Sequence, residues 1–193
     1  MTSEINEYDL NHRAFVLLEL VAETPSHAYN IDQRIKERGM RNWTNIGTSS
    51  IYNIINNLEK DGLVESYTEE VDNRVRKIYT ITNLGMEILR NKTYNVLSDF
   101  IGKKDEDFYV AFSIFHILSY EQQLEAFTNS MNIIKTHINE LKNMLAENSQ
   151  MPLNVRGLFV HPIKILETDV EFLEWVLEEI KKRGSQFGPE ENG

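Results

Sequence analysis

Apolar residues recur at helical spacing from Leu10 onward. Leu10, Ala14, Leu17, Leu18 and Val21 trace one stripe, and Asp9 is placed to cap the first helix. The stripe stops at "ETPS", where Pro25 drives Thr24 into extended geometry. Ser26 is the expected cap of a second helix, with Ala28, Ile31 and Ile35 inward and Tyr29, Gln33 and Lys36 outward, ended by Gly39. After the loop "MRNWTNIGT", a third helix is expected from Ser49 to Lys60, closed by Gly62. Its apolar stripe is Ile51, Ile54, Ile55 and Leu58.

The period then changes from helical to two. Leu63, Glu65 and Tyr67 alternate with Val64, Ser66 and Thr68, "EEVDNR" turns the chain and "VRKIYTIT" returns, which predicts a β-hairpin with a basic far arm. Thr82 is placed to cap a further helix through Leu84, Ile88 and Leu89. Helix, helix, helix, hairpin is the plan of a winged helix-turn-helix.

The second half reads as helices only. "EDFYVAFSIFHIL" puts Phe108, Phe112 and Phe115 on one face. Glu121 to Ala146 repeats Leu124, Phe127, Met131, Ile134, Ile138, Leu141 and Leu145 at alternating steps of three and four. "ENSQMPLN" breaks the run, and a last helix carries Phe159, Ile163, Leu166, Val170, Leu173, Leu177 and Ile180 at strict four-three steps, a sustained heptad seam. This stripe can pack inside the chain against the Glu121–Ala146 helix or against a second copy. Two long stripes exceed what one hairpin needs, which favours the dimer. The expected fold is mostly α with a small β-hairpin wing. Residues 1–92 form a winged helix-turn-helix, 93–184 a helical dimerisation domain, and 185–193 a tail that frays.

Composition narrows the function. No apolar run approaches the roughly 20 residues of a membrane span, and the start lacks a secretory layout, so a cytoplasmic protein is expected. With no cysteine among 193 residues there is no disulfide or thiolate chemistry. His12, His27, His116, His137 and His161 show no metal-ligand spacing. No phosphate loop or nucleophile signature appears either, so neither an enzyme nor a metal or cofactor is expected.

The net charge of −10 opposes a polyanionic partner at long range. Two basic clusters interrupt it, however: Arg34, Lys36, Arg38 and Arg41 against Glu37 alone, and Arg74, Arg76 and Lys77 in "NRVRK".

The third helix carries the most specific chemistry. Opposite its apolar stripe lie Ser49, Asn53 and Asn56, uncharged until Lys60. Such a face suits base edges in a major groove about 12 Å wide, where Asn bonds bidentately to adenine. Tyr52 flanks that face at a position suited to a phosphate. Arg74, Arg76 and Lys77 can grip the backbone as a wing, and Lys36 can add a phosphate contact. The plainer alternatives are a solvated helix face and a charged edge that discourages sheet pairing.

"HAYNI", "SIYNIINNLEKDGLV", "NRVRKIYTITNLG" and "VEFLEWVLEEI" together resemble the PadR family of bacterial transcription regulators. The resemblance covers the first ninety or so residues and the last helix in outline. It implies operator binding by the winged helix, a homodimer formed mostly by the last helix, Tyr52 at the family's recognition-helix tyrosine, and Arg74, Arg76 and Lys77 at the basic wing positions. The chain departs from the family at Ala28 and Asn73, where Gly is common, and at Asn53 and Val75, where Pro is frequent. The Asn53 change means that an operator sequence does not transfer.

A small aromatic effector, held by Phe108, Tyr109, Phe112, Phe115 and Trp175, is how some relatives are switched; the alternative is that these rings are core. The expectation is a homodimeric, sequence-specific DNA-binding regulator, a repressor released by an effector. The competing expectation is a winged-helix module that binds protein instead of DNA.

Overall fold

The computed structural model describes residues 10–44, 46–71, 74–102, 105–147 and 150–186. The expected cap Asp9 and tail residues 187–193 lie outside them. The chain forms two compact units, one of residues up to Thr93 with Glu106–Ile114, the other of Tyr94–Asp105 with Phe115 onward.

In the first unit α1 (His12–Glu23), α2 (Ala28–Glu37), a single-turn α3 (Arg41–Thr44) and α4 (Thr48–Lys60) precede β1 (Val64–Val71) and β2 (Arg74–Ile81). α5 (Asn83–Ser98) follows. The expected helix order and the two-stranded antiparallel wing are present, and the strands pair from Val64–Ile81 to Val71–Arg74. The unit is therefore a winged helix.

α1 is capped by Asn11, whose side chain accepts from the Ala14 N–H at 3.1 Å. It buries every residue from Ala14 to Val21, because α2, α4, β2 and α6 (Glu106–Ser113) all surround it. The sequence placed α6 in the second half. It joins the first unit through Asp107, which meets His12 Nδ1 at 2.6 Å and Lys92 Nζ at 3.1 Å.

The cap of α2 is His27, not Ser26: His27 Nδ1 accepts the Asn30 N–H at 3.1 Å. Ser26 is committed elsewhere. Its N–H donates to the Tyr79 carbonyl at 3.0 Å and its carbonyl accepts from the Tyr79 N–H at 2.9 Å, which ties the start of α2 to the wing. Gly39 and Gly62 end their helices at φ 65° and 75°, values that favour glycine. The loop after α2 holds α3, where Thr44 Oγ1 donates to the Met40 carbonyl.

The second unit pairs α7 (Tyr120–Glu147) with α8 (Leu153–Gln186). Lys135–Glu174 at 2.8 Å and Lys142–Glu167 at 2.6 Å show that the helices run antiparallel. The seam expected to make a dimer is filled within one chain. Ile163, Leu166, Val170, Leu173, Leu177 and Ile180 are buried and Phe159 is half-buried, with α7 supplying Phe127, Ile134 and Ile138 opposite them. The physical reason is that a complementary stripe in the same chain is tethered by a short turn and meets the seam first.

Candidate nucleic-acid interface

α4 rests on the core through Ile51, Ile55 and Leu58, and Ser49, Tyr52, Asn53 and Asn56 are exposed on its other side. Ser49 and Asn53 stand one turn apart. Asn56 is partly committed, since its Oδ1 accepts from the Tyr79 hydroxyl at 3.4 Å. Asn53 is thus the side chain of this row best placed for bidentate bonding.

The helix is fixed at both ends. At its start Thr48 Oγ1 donates to Asp32 Oδ1 at 3.2 Å, and Arg41 bonds both Asp32 and Thr48. Burial alone would raise the Asp32 carboxyl. The Lys36 and Arg41 bonds and the Thr48 hydroxyl more than offset it and hold the group below its ordinary range. At the far end Glu59 accepts from Ser66 on β1 and pairs with Lys77 on β2 at 2.7 Å. These two bonds hold Glu59 low, the Lys77 partner contributing most.

These contacts change the electrostatics that the basic clusters implied. Lys36 is paired with Asp32 at 2.9 Å, Arg34 and Arg38 with Glu23 at 3.1 and 2.7 Å, Arg41 with Asp32, and Lys77 with Glu59. Lys36 and Lys77, both expected to touch phosphates, are braces of the fold. Among the described residues Arg76 has no carboxylate at ion-pair distance. Strand Arg74 begins β2, and its side chain lies outside the described atoms.

Sequence reasoning did not single out His27, Tyr29 and Tyr79. A signal for His27 existed, because a polar side chain three residues before an unbonded first-turn N–H is a capping position. Tyr79 is buried beneath Lys77, whose Nζ sits 5.0 Å from its ring centroid.

The aromatic set expected to hold an effector is divided. Phe108 stacks on Phe112 at 6.0 Å in the first unit, with Tyr109 exposed on the same helix. Phe115 has left that helix for a 3-10 turn, Phe115–Ile117, and meets Phe127 edge-on at 5.5 Å in the second unit. Trp175 is exposed beside Phe172, 5.9 Å away. No cluster of three or more His, Cys, Asp or Glu that could hold a metal occurs among the described residues. No described helix is long and apolar enough to cross a membrane.

The model of the transcriptional regulator PadR-like family matches residues 17–91, which run from α1 through α4 and the wing into α5. The chain belongs to the PadR-like family. The matched stretch holds every residue of the α4 face, its braces and the wing just described. No curated protein matches.

Among solved structures, smu.1704 from Streptococcus mutans UA159 is 32% identical, over 43% of this chain and 76% of that one, at a TM-score of 0.36. Bacillus subtilis PadR in complex with operator DNA is 19% identical over 86% and 98%, TM-score 0.40. The same protein in complex with p-coumaric acid is 20% identical over 89% and 99%, TM-score 0.38.

Proposed function

We propose that this PadR-like protein is a sequence-specific DNA-binding regulator that acts as a homodimer and represses by occluding a promoter. The observation that carries the reading is the exposed, uncharged row Ser49, Asn53 and Asn56 on a helix braced at one end to α2 and at the other to the wing. A base-reading helix must hold its register against the duplex, and these two braces supply that. Phosphate contacts would give affinity and base contacts the choice of site.

The test is selection of bound duplexes from a random pool, followed by gel shifts with Asn53→Ala. A bidentate Asn–adenine contact is worth about 1–3 kcal/mol of discrimination, so the variant should lose about 5- to 150-fold in preference for the selected site while keeping its fold. Unchanged selectivity would remove the base-reading role.

A symmetric site needs two reading helices about 34 Å apart, which a two-fold dimer provides. Since the expected seam is occupied, the pairing surface we infer is the other side of α8, where Leu158, Ile165 and Trp175 are exposed. Release by a small aromatic compound is the finer part of the reading. The p-coumaric acid bound to Bacillus subtilis PadR is the first compound to add to the preformed protein–duplex complex.

One observation favours the protein-binding module instead: five residues of the two basic clusters, Arg34, Lys36, Arg38, Arg41 and Lys77, are paired with the chain's own carboxylates. A salt titration separates the two. Steep loss of duplex binding with salt supports the regulator, and no duplex binding at low salt supports the module.

A further inference from the structure

Helix α4 starts without the devices that start its neighbours. α1 and α2 are capped by the side chains of Asn11 and His27. α4 begins after Gly47, which has no side chain to offer, and its first turn holds no acidic residue. Both a cap and a negative charge stabilise a helix N-terminus. Here they come from another helix. Asp32 of α2, 3% exposed, accepts from the Thr48 hydroxyl at 3.2 Å, and Thr48 is the first residue of α4. The same hydroxyl accepts from Arg41 Nη2 at 2.8 Å, so it is held in both of its roles.

Asp32 also gathers two cations. Lys36 Nζ lies 2.9 Å from Oδ2, and Arg41 Nη2 donates to Oδ1. Their side chains are 43% and 38% exposed, so both cations sit at the surface. One buried carboxylate therefore holds the first turn of the helix that carries Ser49 and Asn53, and occupies two cations that could otherwise meet phosphate. The two effects bear on different kinds of binding. Attraction of free cations to phosphate is independent of sequence, whereas base reading needs a helix that keeps its register.

We propose that Asp32 is a specificity-determining residue of this regulator, a positioning residue that is itself buried and reads no base. It favours the correct site by fixing where Ser49 and Asn53 stand. It disfavours every other duplex by withholding Lys36 and Arg41. The inference rests on the DNA-binding reading and deepens it. It also gives the ion pairs on Asp32 a use in a DNA-binding protein, where a count of free cations credits them with none.

The experiment titrates the full chain with a duplex from the random-pool selection, and with a scrambled duplex of equal length, over a range of salt. Asp32→Asn keeps the shape and loses the charge. Binding to the scrambled duplex should tighten about three- to tenfold, and its slope of log K against log salt should steepen by about one to two units. Preference for the selected duplex should fall about tenfold. A residue needed only for the fold would weaken both duplexes together, and that result overturns the proposal. Adding Arg41→Gln to Asp32→Asn should take about one unit off the slope and leave the preference lost, because a cation is gone while the start of α4 is still unheld. Recovery of preference in this double variant would make Asp32 a charge screen alone and overturn its positioning role.

Thr48→Val keeps every charge and removes only the hydroxyl between Asp32 and α4. It should lower preference about three- to fivefold at an unchanged slope, with native circular dichroism. It carries the test if Asp32→Asn does not fold. Unchanged preference in Thr48→Val, or in folded Asp32→Asn, overturns the proposal and leaves the regulator standing. Absence of wild-type duplex binding at low salt overturns both.

Discussion

Glu19 is a charged residue type at a core position, 2% exposed on α1. Burial pushes its carboxyl up to about 8; the charge of Glu23 one turn on adds to the shift, and Arg38 and Ser113 oppose it. Between the ordinary value of 4.5 and about 8 the native chain holds a proton that the unfolded chain releases. The unfolded state then binds fewer protons, so stability falls as pH rises through that window. Glu19→Gln keeps the shape without the titration. Its thermal midpoint should match the wild type at about pH 5 and exceed it at about pH 8.5, with a flatter pH dependence in scanning calorimetry. An unchanged slope would refute this. The sequence hides Glu19 because stripe counting credits α1 with one apolar side, whereas the helix is enclosed all round. Asn53 was legible for the opposite reason: an exposed side chain on a regular helix is placed by its spacing alone.

The elements were largely legible as well, and their joints were not. Helix order, hairpin and glycine stops follow from local periodicity, which needs no partner. The capping of α2 was misassigned because Ser26 bonds Tyr79, a residue far along the chain. The "TNLG" stretch shows both sides of the difference. Thr82 caps α5 as expected, accepting the Gly85 N–H at 3.0 Å while donating to the Gly62 carbonyl at 2.7 Å. The need for glycine at position 85 comes from elsewhere: a Cβ there would stand 2.0 Å from the Leu63 carbonyl oxygen and 2.9 Å from Ile81 Cγ1. Backbone must therefore move to admit one. Gly85→Ala should destabilise by about 1–3 kcal/mol in urea unfolding. Gly157, inside α8, has nothing within 4 Å of an added Cβ, so Gly157→Ala should stabilise by about 0.5–1 kcal/mol. Equal effects at the two sites would mean that helix propensity, not the Leu63 contact, governs position 85.

For the molecule as an assembly, α8 carries two seams. The first, Ile163 to Ile180, faces α7 and is buried in one chain. The second consists of Leu158, Ile165, Phe172 and Trp175, which at 100° per residue centre roughly 130° round the helix from the first. Leu158 is 73% and Trp175 56% exposed, a large apolar face for a chain on its own. The sequence displays both stripes but not which one is already covered, since periodicity reports a face and not its occupant. If the second seam pairs two copies, substitutions in the two seams must separate folding from assembly. Leu166→Ala leaves a cavity and should cost about 2–5 kcal/mol, lowering the thermal midpoint while light scattering still reports a dimer. Leu158→Glu combined with Trp175→Glu should give a monomer of unchanged helical content, because charges on an exposed face cost a single chain little but cannot be desolvated against each other across a two-fold axis. The monomer should also lose most of its affinity for a two-site duplex and keep that for a half-site, because only the linkage between reading helices is gone. A double variant that remains dimeric would remove this seam as the pairing surface, and a wild type that is monomeric at working concentration would remove the dimer itself.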